Sequence, residues 1–380
     1  MSDSATVAEK PAGKRVPKEI IRHFTPSWFS VNMGTGILSI LLYTFPFQFY
    51  GLPTIALVLY ISNAVIFSIF FIITCLRYIM FPSIFQLMMK HSAQSLFIGT
   101  LPMGLTTITN FTILAISGKY EWGMNLAFVL WCIQFVFTMF SCIAVPFYII
   151  VHHNHQLESM NGTWLLPIVP AVVTGASGGL LANHIDEHRG FIVLIISYIT
   201  MGMGLCLALS IISIYFYRLA VHNLPPKEVI ISSFLPLGPL GQGAFGMIQL
   251  GSASQRLLGD KYIMGLGNTA YGVGFLASLI LWGYGVWYLC VAVFSVGITV
   301  KQRIPFNMGW WGLTFPLGVF TSATVAIGGV LDSMFFLVLG AILTCILVVI
   351  WLSVMAKTLQ GVFSGEMFYA PCLTPVVLNT

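Results

Sequence analysis

The chain has 380 residues, of which 58% are apolar and 7% charged, with a formal net charge of +5. A soluble domain carries about a quarter charged residues to cover its surface, so this composition excludes a water-soluble fold and leaves lipid as the solvent. Seven cysteines lie singly, without a Cys-x-x-Cys pair, which argues against a disulfide framework and makes them small buried apolar residues.

In chain order, Met1 to Arg22 is polar and basic and lacks the apolar core of a signal peptide. Residues 1–24 therefore read as a basic cytosolic tail. A spanning helix needs about 20 mostly apolar residues. Charge gaps and turn residues predict ten of them, near 26–45, 52–77, 96–117, 125–152, 164–183, 191–218, 229–253, 269–299, 309–330 and 335–356. Residues 25–357 form the transmembrane transport domain in this reading, and 358–380 a cytosolic C-terminal tail. With the N-terminus inside, the cytoplasmic segments hold Lys10, Lys14, Arg15, Lys18, Arg22, Arg77, Lys90, Arg218, Lys227, Lys301, Arg303 and Lys357, or 12 of the 16 basic residues. That bias follows the positive-inside rule. An even number of spans returns the C-terminus to the same side.

The odd helices begin 70, 68, 65 and 80 residues apart, a spacing that suggests five successive helical hairpins. Their interiors carry breakers, including Pro102, Pro167, Pro236 and Pro316 near one depth. Proline frees a backbone carbonyl, which hydrocarbon cannot satisfy and a protein interior or a watery cavity can. The expected fold is an all-α integral membrane protein in which odd helices line a central pore and even helices sheathe them.

Polar and small residues of the odd helices, with one aromatic, recur at helical spacing. They are Asn32, Thr35 and Gly36; Thr106 and Asn110; Thr174 and Ser177; Gln242 and Phe245; and Ser322. Each can line a pore or bond a neighbouring helix, and for any single one packing is an equally good account. No Lys or Arg is predicted deep in a span, so a tightly held dicarboxylate lacks its guanidinium partner. A weakly binding route for a small anion fits better, helped by helix N-termini and by the basic cytoplasmic rim. His184, beside Asp186 and Glu187, is either a proton sensor or a helix-ending residue. His152, His153 and His155 are too loosely spaced for a metal site. The triplets Asn110-Phe-Thr112 and Asn161-Gly-Thr163 fall where no glycosylating enzyme reaches. No Gly-x-x-x-x-Gly-Lys-Ser/Thr run occurs. No metal, cofactor, enzymatic activity or nucleic-acid partner is expected.

The run Phe24-Thr-Pro-Ser-Trp-Phe-Ser-Val-Asn-Met-Gly-Thr-Gly-Ile37 and the run Gly309-Trp-Trp-Gly-Leu-Thr-Phe-Pro-Leu-Gly318 resemble the tellurite-resistance/dicarboxylate transporter family. With Thr100-Leu-Pro-Met-Gly104 and the short termini, the chain is most similar to that family's fungal sulfite-efflux branch. The resemblance implies a five-hairpin pore at the plasma membrane that exports sulfite or hydrogensulfite. It also implies a phenylalanine plug, at Phe315 here, and homotrimeric assembly. Malate or another C4-dicarboxylate, or passive chloride or nitrate flow, is the alternative.

Overall fold

The computed structural model describes residues 17–373; Lys10, Lys14 and Arg15 lie outside them. Ten long helices follow in order: α1 (Phe29–Tyr43), α2 (Leu52–Met80), α3 (Thr100–Phe111), α4 (Glu121–Met139), α5 (Val169–Ala182), α6 (Glu187–His222), α7 (Leu237–Leu257), α8 (Leu266–Thr299), α9 (Trp311–Leu331) and α10 (Met334–Ser364). A π-helical turn, Phe140–Ala144, carries α4 on into a helix at Val145–His152. The ends have local causes. Gly51, in the left-handed region with φ +90°, starts α2, where a side chain would be strained. Asp186 caps α6 by accepting the Arg189 N–H at 3.1 Å, and Gly365, φ +79°, stops α10.

Among the described residues seven stretches are long and apolar enough to cross a membrane by length and composition, and the chain is a multi-pass helical membrane protein. They contain α2, α3, α4, α6, α8, α9 and α10. Three of the ten predicted spans fall short for identifiable reasons. The 15 residues of α1 and the 14 of α5 are shorter than a bilayer core, while α7 is diluted by glycine, glutamine and serine. The predicted loop at 78–95 holds a helix, Pro82–Lys90.

Burial divides the helices into two kinds. Every residue of α5, and all of α1 except Tyr43, is buried. The apolar windows around α3 and α9 are 83% and 72% buried, against 17–39% for those of α2, α4, α6, α8 and α10. Each of α2, α4, α6, α8 and α10 packs on the helix just before it in sequence. The buried helices touch one another in a closed cycle, α1 with α3, α3 with α5, α5 with α7, α7 with α9, and α9 with α1.

Glycines set how closely this cycle closes, because small residues let helix backbones approach. A Cβ added at Gly241 of α7 would stand 2.6 Å from the Phe320 backbone of α9, and one at Gly179 of α5 would stand 2.9 Å from the Leu250 nitrogen of α7. Gly36 of α1 abuts Thr107 of α3, and Gly318 of α9 abuts Ile37 of α1. The large exposed aliphatics lie instead on the outer helices, Val58, Ile199, Ile280 and Val349 among them. So do Cys75, Cys206, Cys290 and Cys345, which the sequence reading took as buried. On a lipid-facing surface a thiol has no water to avoid, so it gains nothing from the interior.

Candidate functional site

Each buried helix begins with a short 3₁₀ segment: Pro26–Trp28, Ser95–Gly99, Gly162–Leu165, Ile230–Phe234 and Met308–Trp310. These five segments also contact each other in a closed cycle. The Gly99 and Gly162 positions meet the Leu166 and Ser232 carbonyls of the next segment, where no side chain fits. The residues capping the five segments are Thr25, Gln94, Asn161, Val229 and Asn307.

All five cap residues line one cavity of about 380 Å³. It runs inward to Met33, Thr100, Leu166, Leu235 and Trp311, and Glu366, Met367, Tyr369 and Pro371 close over it from the C-terminal segment. That segment is fixed by Phe368 stacked on Trp28, ring centres 5.2 Å apart, and by the Ala370 N–H donating to His23 Nδ1 at 3.2 Å. Five helix N-termini therefore converge on one space. Each carries about half a positive charge from its aligned peptide dipoles, and the sum favours an anion.

Among the described residues no lysine or arginine lines the cavity, and the charged ones that do are the exposed Glu228 and Glu366. Two arginines counted toward a basic rim are buried instead. Arg77 donates to the Arg22 carbonyl at 3.1 Å and to the Tyr78 hydroxyl at 3.2 Å. Arg218 donates to the Glu158 carbonyl at 2.8 Å and to that of Asn223. Both guanidiniums are engaged with backbone carbonyls, and neither arginine lines the cavity.

Of the polar stripe residues some bond a neighbouring element and some their own helix, and none lines this cavity. Asn32 donates to Asn63 Oδ1 of α2 at 3.0 Å. Thr35 accepts from Trp351 Nε1 of α10 at 3.1 Å, and Gly36 is the close approach to Thr107. Thr106 donates to the Pro102 carbonyl at 2.8 Å. Asn110 and Ser177 are brought together between α3 and α5, Ser177 Oγ donating to Asn110 Oδ1 at 2.6 Å. Thr174 takes Gln134 Nε2 at 3.1 Å and shares a 2.7 Å hydroxyl pair with Thr138, both of α4. Ser322 donates to the Gly318 carbonyl at 3.2 Å. Gln242 is buried and Phe245 half-buried on α7.

Phe315 is 2% exposed in the central apolar core, one helical turn beyond Trp311 at the inner end of the cavity. Of the four prolines, only Pro316 lies beyond the first turn of an α-helix. Pro102 is the third residue of α3, while Pro167 and Pro236 sit between a 3₁₀ segment and its helix. His184 is exposed, with Nδ1 2.9 Å from the Leu180 carbonyl. His153 Nε2 lies 2.9 Å from the Met89 carbonyl. Burial, then the nearby His153, lowers the pKa of His155. The Asn161 triplet turns out to be a cap, Asn161 Oδ1 accepting the Thr163 N–H at 3.0 Å.

Sequence reasoning missed the cap ring. A signal was present: Thr25, Gln94, Asn161 and Asn307 each stand three residues before an aromatic, at Trp28, Phe97, Trp164 and Trp310. Residues 23–359 match the voltage-dependent anion channel family. The chain belongs to that family. It is 40% identical to the sulfite efflux pump of Arthroderma benhamiae over 95% of this chain and 96% of that one. The sulfite efflux pump of Trichophyton rubrum is 40% identical with the same coverage. The malic acid transport protein of Schizosaccharomyces pombe is 27% identical over 92% of this chain and 81% of its own. These are channel and transporter names, and this membership accords with the sequence resemblance to anion transporters.

Proposed function

We propose that this chain exports sulfite or hydrogensulfite from the cytoplasm across the plasma membrane, with both termini cytoplasmic. In this reading α1 to α10 all span the bilayer as five hairpins within 25–357, flanked by tails at 1–24 and 358–380. The short α1 and α5 reach across with their 3₁₀ lead-ins, and the five buried helices surround the ion route. The cavity is its cytoplasmic vestibule. The observation that carries the reading is the convergence of five helix N-termini on a space that no basic side chain among the described residues lines.

Such a site attracts an anion without gripping it, and a conducted ion must leave as readily as it enters. An inside-negative potential then drives it outward by about 2.3 kcal/mol per charge per 100 mV. The rim carboxylates Glu228 and Glu366 repel a second negative charge, so a monoanion passes more easily than malate dianion. The 40% identity to sulfite efflux pumps supports the same substrate. Phe315, buried just beyond the vestibule, is the plug in this scheme, and its ring clears the route by rotamer change. Asn32, Thr35, Gly36, Thr106, Asn110, Thr174, Ser177, Gln242, Phe245 and Ser322 form its walls and the seams behind them. Each chain encloses its own route, so assembly into a homotrimer adds routes in parallel.

The test is flux from proteoliposomes. Sulfite efflux above that of empty vesicles is expected under an imposed potential. Vesicles that pass malate or chloride but not sulfite would overturn the assignment.

A further inference from the structure

Among the five cap residues of the vestibule, Gln94 differs from the rest. Thr25 Oγ1 pairs with Ser27 Oγ at 2.7 Å. Asn161 Oδ1 is held by Thr163, through its N–H at 3.0 Å and its hydroxyl at 2.8 Å. Asn307 Oδ1 takes the Gly309 N–H at 2.8 Å, and Asn307 Nδ2 donates to the Glu228 carbonyl at 3.0 Å. Val229 has no polar side-chain atom. The side-chain amide of Gln94 has no hydrogen-bond partner among the described residues, although the residue is only 9% exposed and lines the cavity.

Its oxygen is the enclosed end and lacks a donor. The –NH₂ end is then the part that can meet an occupant of the cavity. An anion cannot pair with that oxygen, since both accept; it can pair with the two N–H donors, which have no acceptor among the described residues and gain by meeting one. Two N–H donors on one amide suit the several oxygens of a small oxyanion. The neighbouring helix N-termini supply the charge complement, and no basic side chain among the described residues lines the cavity to compete for the contact.

We infer that the Gln94 amide is the contact that recognises the oxyanion in the vestibule. The inference rests on the export reading, and it assigns a specificity-determining residue to that route. Gln94 would hold the anion by donated hydrogen bonds alone. Loss of the contact would then weaken loading of the vestibule without touching the passage beyond it.

The test is sulfite efflux as a function of internal sulfite, for the parent chain and for Gln94→Leu and Gln94→Glu in proteoliposomes, normalised to inserted protein. Gln94→Leu should raise the half-saturating concentration about tenfold, the effect of losing one or two hydrogen bonds to a charged ligand, with maximal flux unchanged. Gln94→Glu should raise it further, because a carboxylate replaces the donor end. Unchanged half-saturation in both variants overturns the inference, whether maximal flux holds or falls, since a merely structural role changes only the amount of working protein. Parent vesicles that carry malate or nitrate but not sulfite overturn the export reading and its substrate instead.

Discussion

The helix pair α9 and α10 shows both kinds of segment side by side, joined only by Asp332 and Ser333. In α9 nearly every side chain from Thr314 to Thr321 is buried against protein. In α10 the buried positions are Gly340, Leu343, Thr344, Leu347, Val354 and Thr358, spaced as one face of a helix. The outer helix needs to be apolar nearly all round, because one side meets lipid and the other meets protein. The inner helix carries small and hydroxylated residues on all sides, because protein surrounds it and satisfies them. Composition alone thus separates the two roles, with hydropathy lower on the inside, opposite to the order in a soluble protein.

Substitutions at the two kinds of position should differ steeply. The largest effect is expected for Gly241→Leu, whose new side chain meets the Phe320 backbone. Overpacking against backbone should abolish a monodisperse folded peak in detergent chromatography, and a normal peak would contradict the tight cycle. Next is Phe315→Ala, which should raise anion conductance several-fold if the ring blocks the route; planar-bilayer recording with unchanged conductance would reject the plug. Thr174→Val leaves Gln134 and Thr138 without their partner, and a loss of about 1–2 kcal/mol in thermal stability is expected.

A smaller effect concerns acid. Burial lowers the His155 pKa in the folded chain, so the unfolded chain binds more protons below its ordinary value of 6.5. Stability from this residue is present above that pH and declines as pH falls below it. Melting curves should show that decline, and His155→Phe should flatten it. At the outer face Val349→Leu, 64% exposed in the parent, should leave both melting and flux unchanged.

Much of the helical order was legible because lipid imposes a simple rule on length and apolarity. The alternation of broken and plain helices also anticipated which segments are buried. The same spacing could not say what a buried polar face meets. Thr174 lies on a helical stripe with Ser177, yet bonds α4 while Ser177 bonds Asn110. Periodicity reports burial, and a neighbouring helix buries a residue as well as a lumen does. Nor could charge counting place Arg77, the last residue of the predicted second span and counted toward the cytoplasmic side, which is fully buried with its guanidinium 3.9 Å from Cys372 Sγ of the C-terminal segment. The vestibule escaped notice because it is assembled from caps far apart in the chain.

The glycine seams have a mechanical consequence. Helices meshed backbone to backbone cannot slide or rock past each other without losing contact along the whole cycle at once. In the proposed route a wall of that kind acts as a stiff tube, so the movement that would admit an ion is as small as one side chain turning.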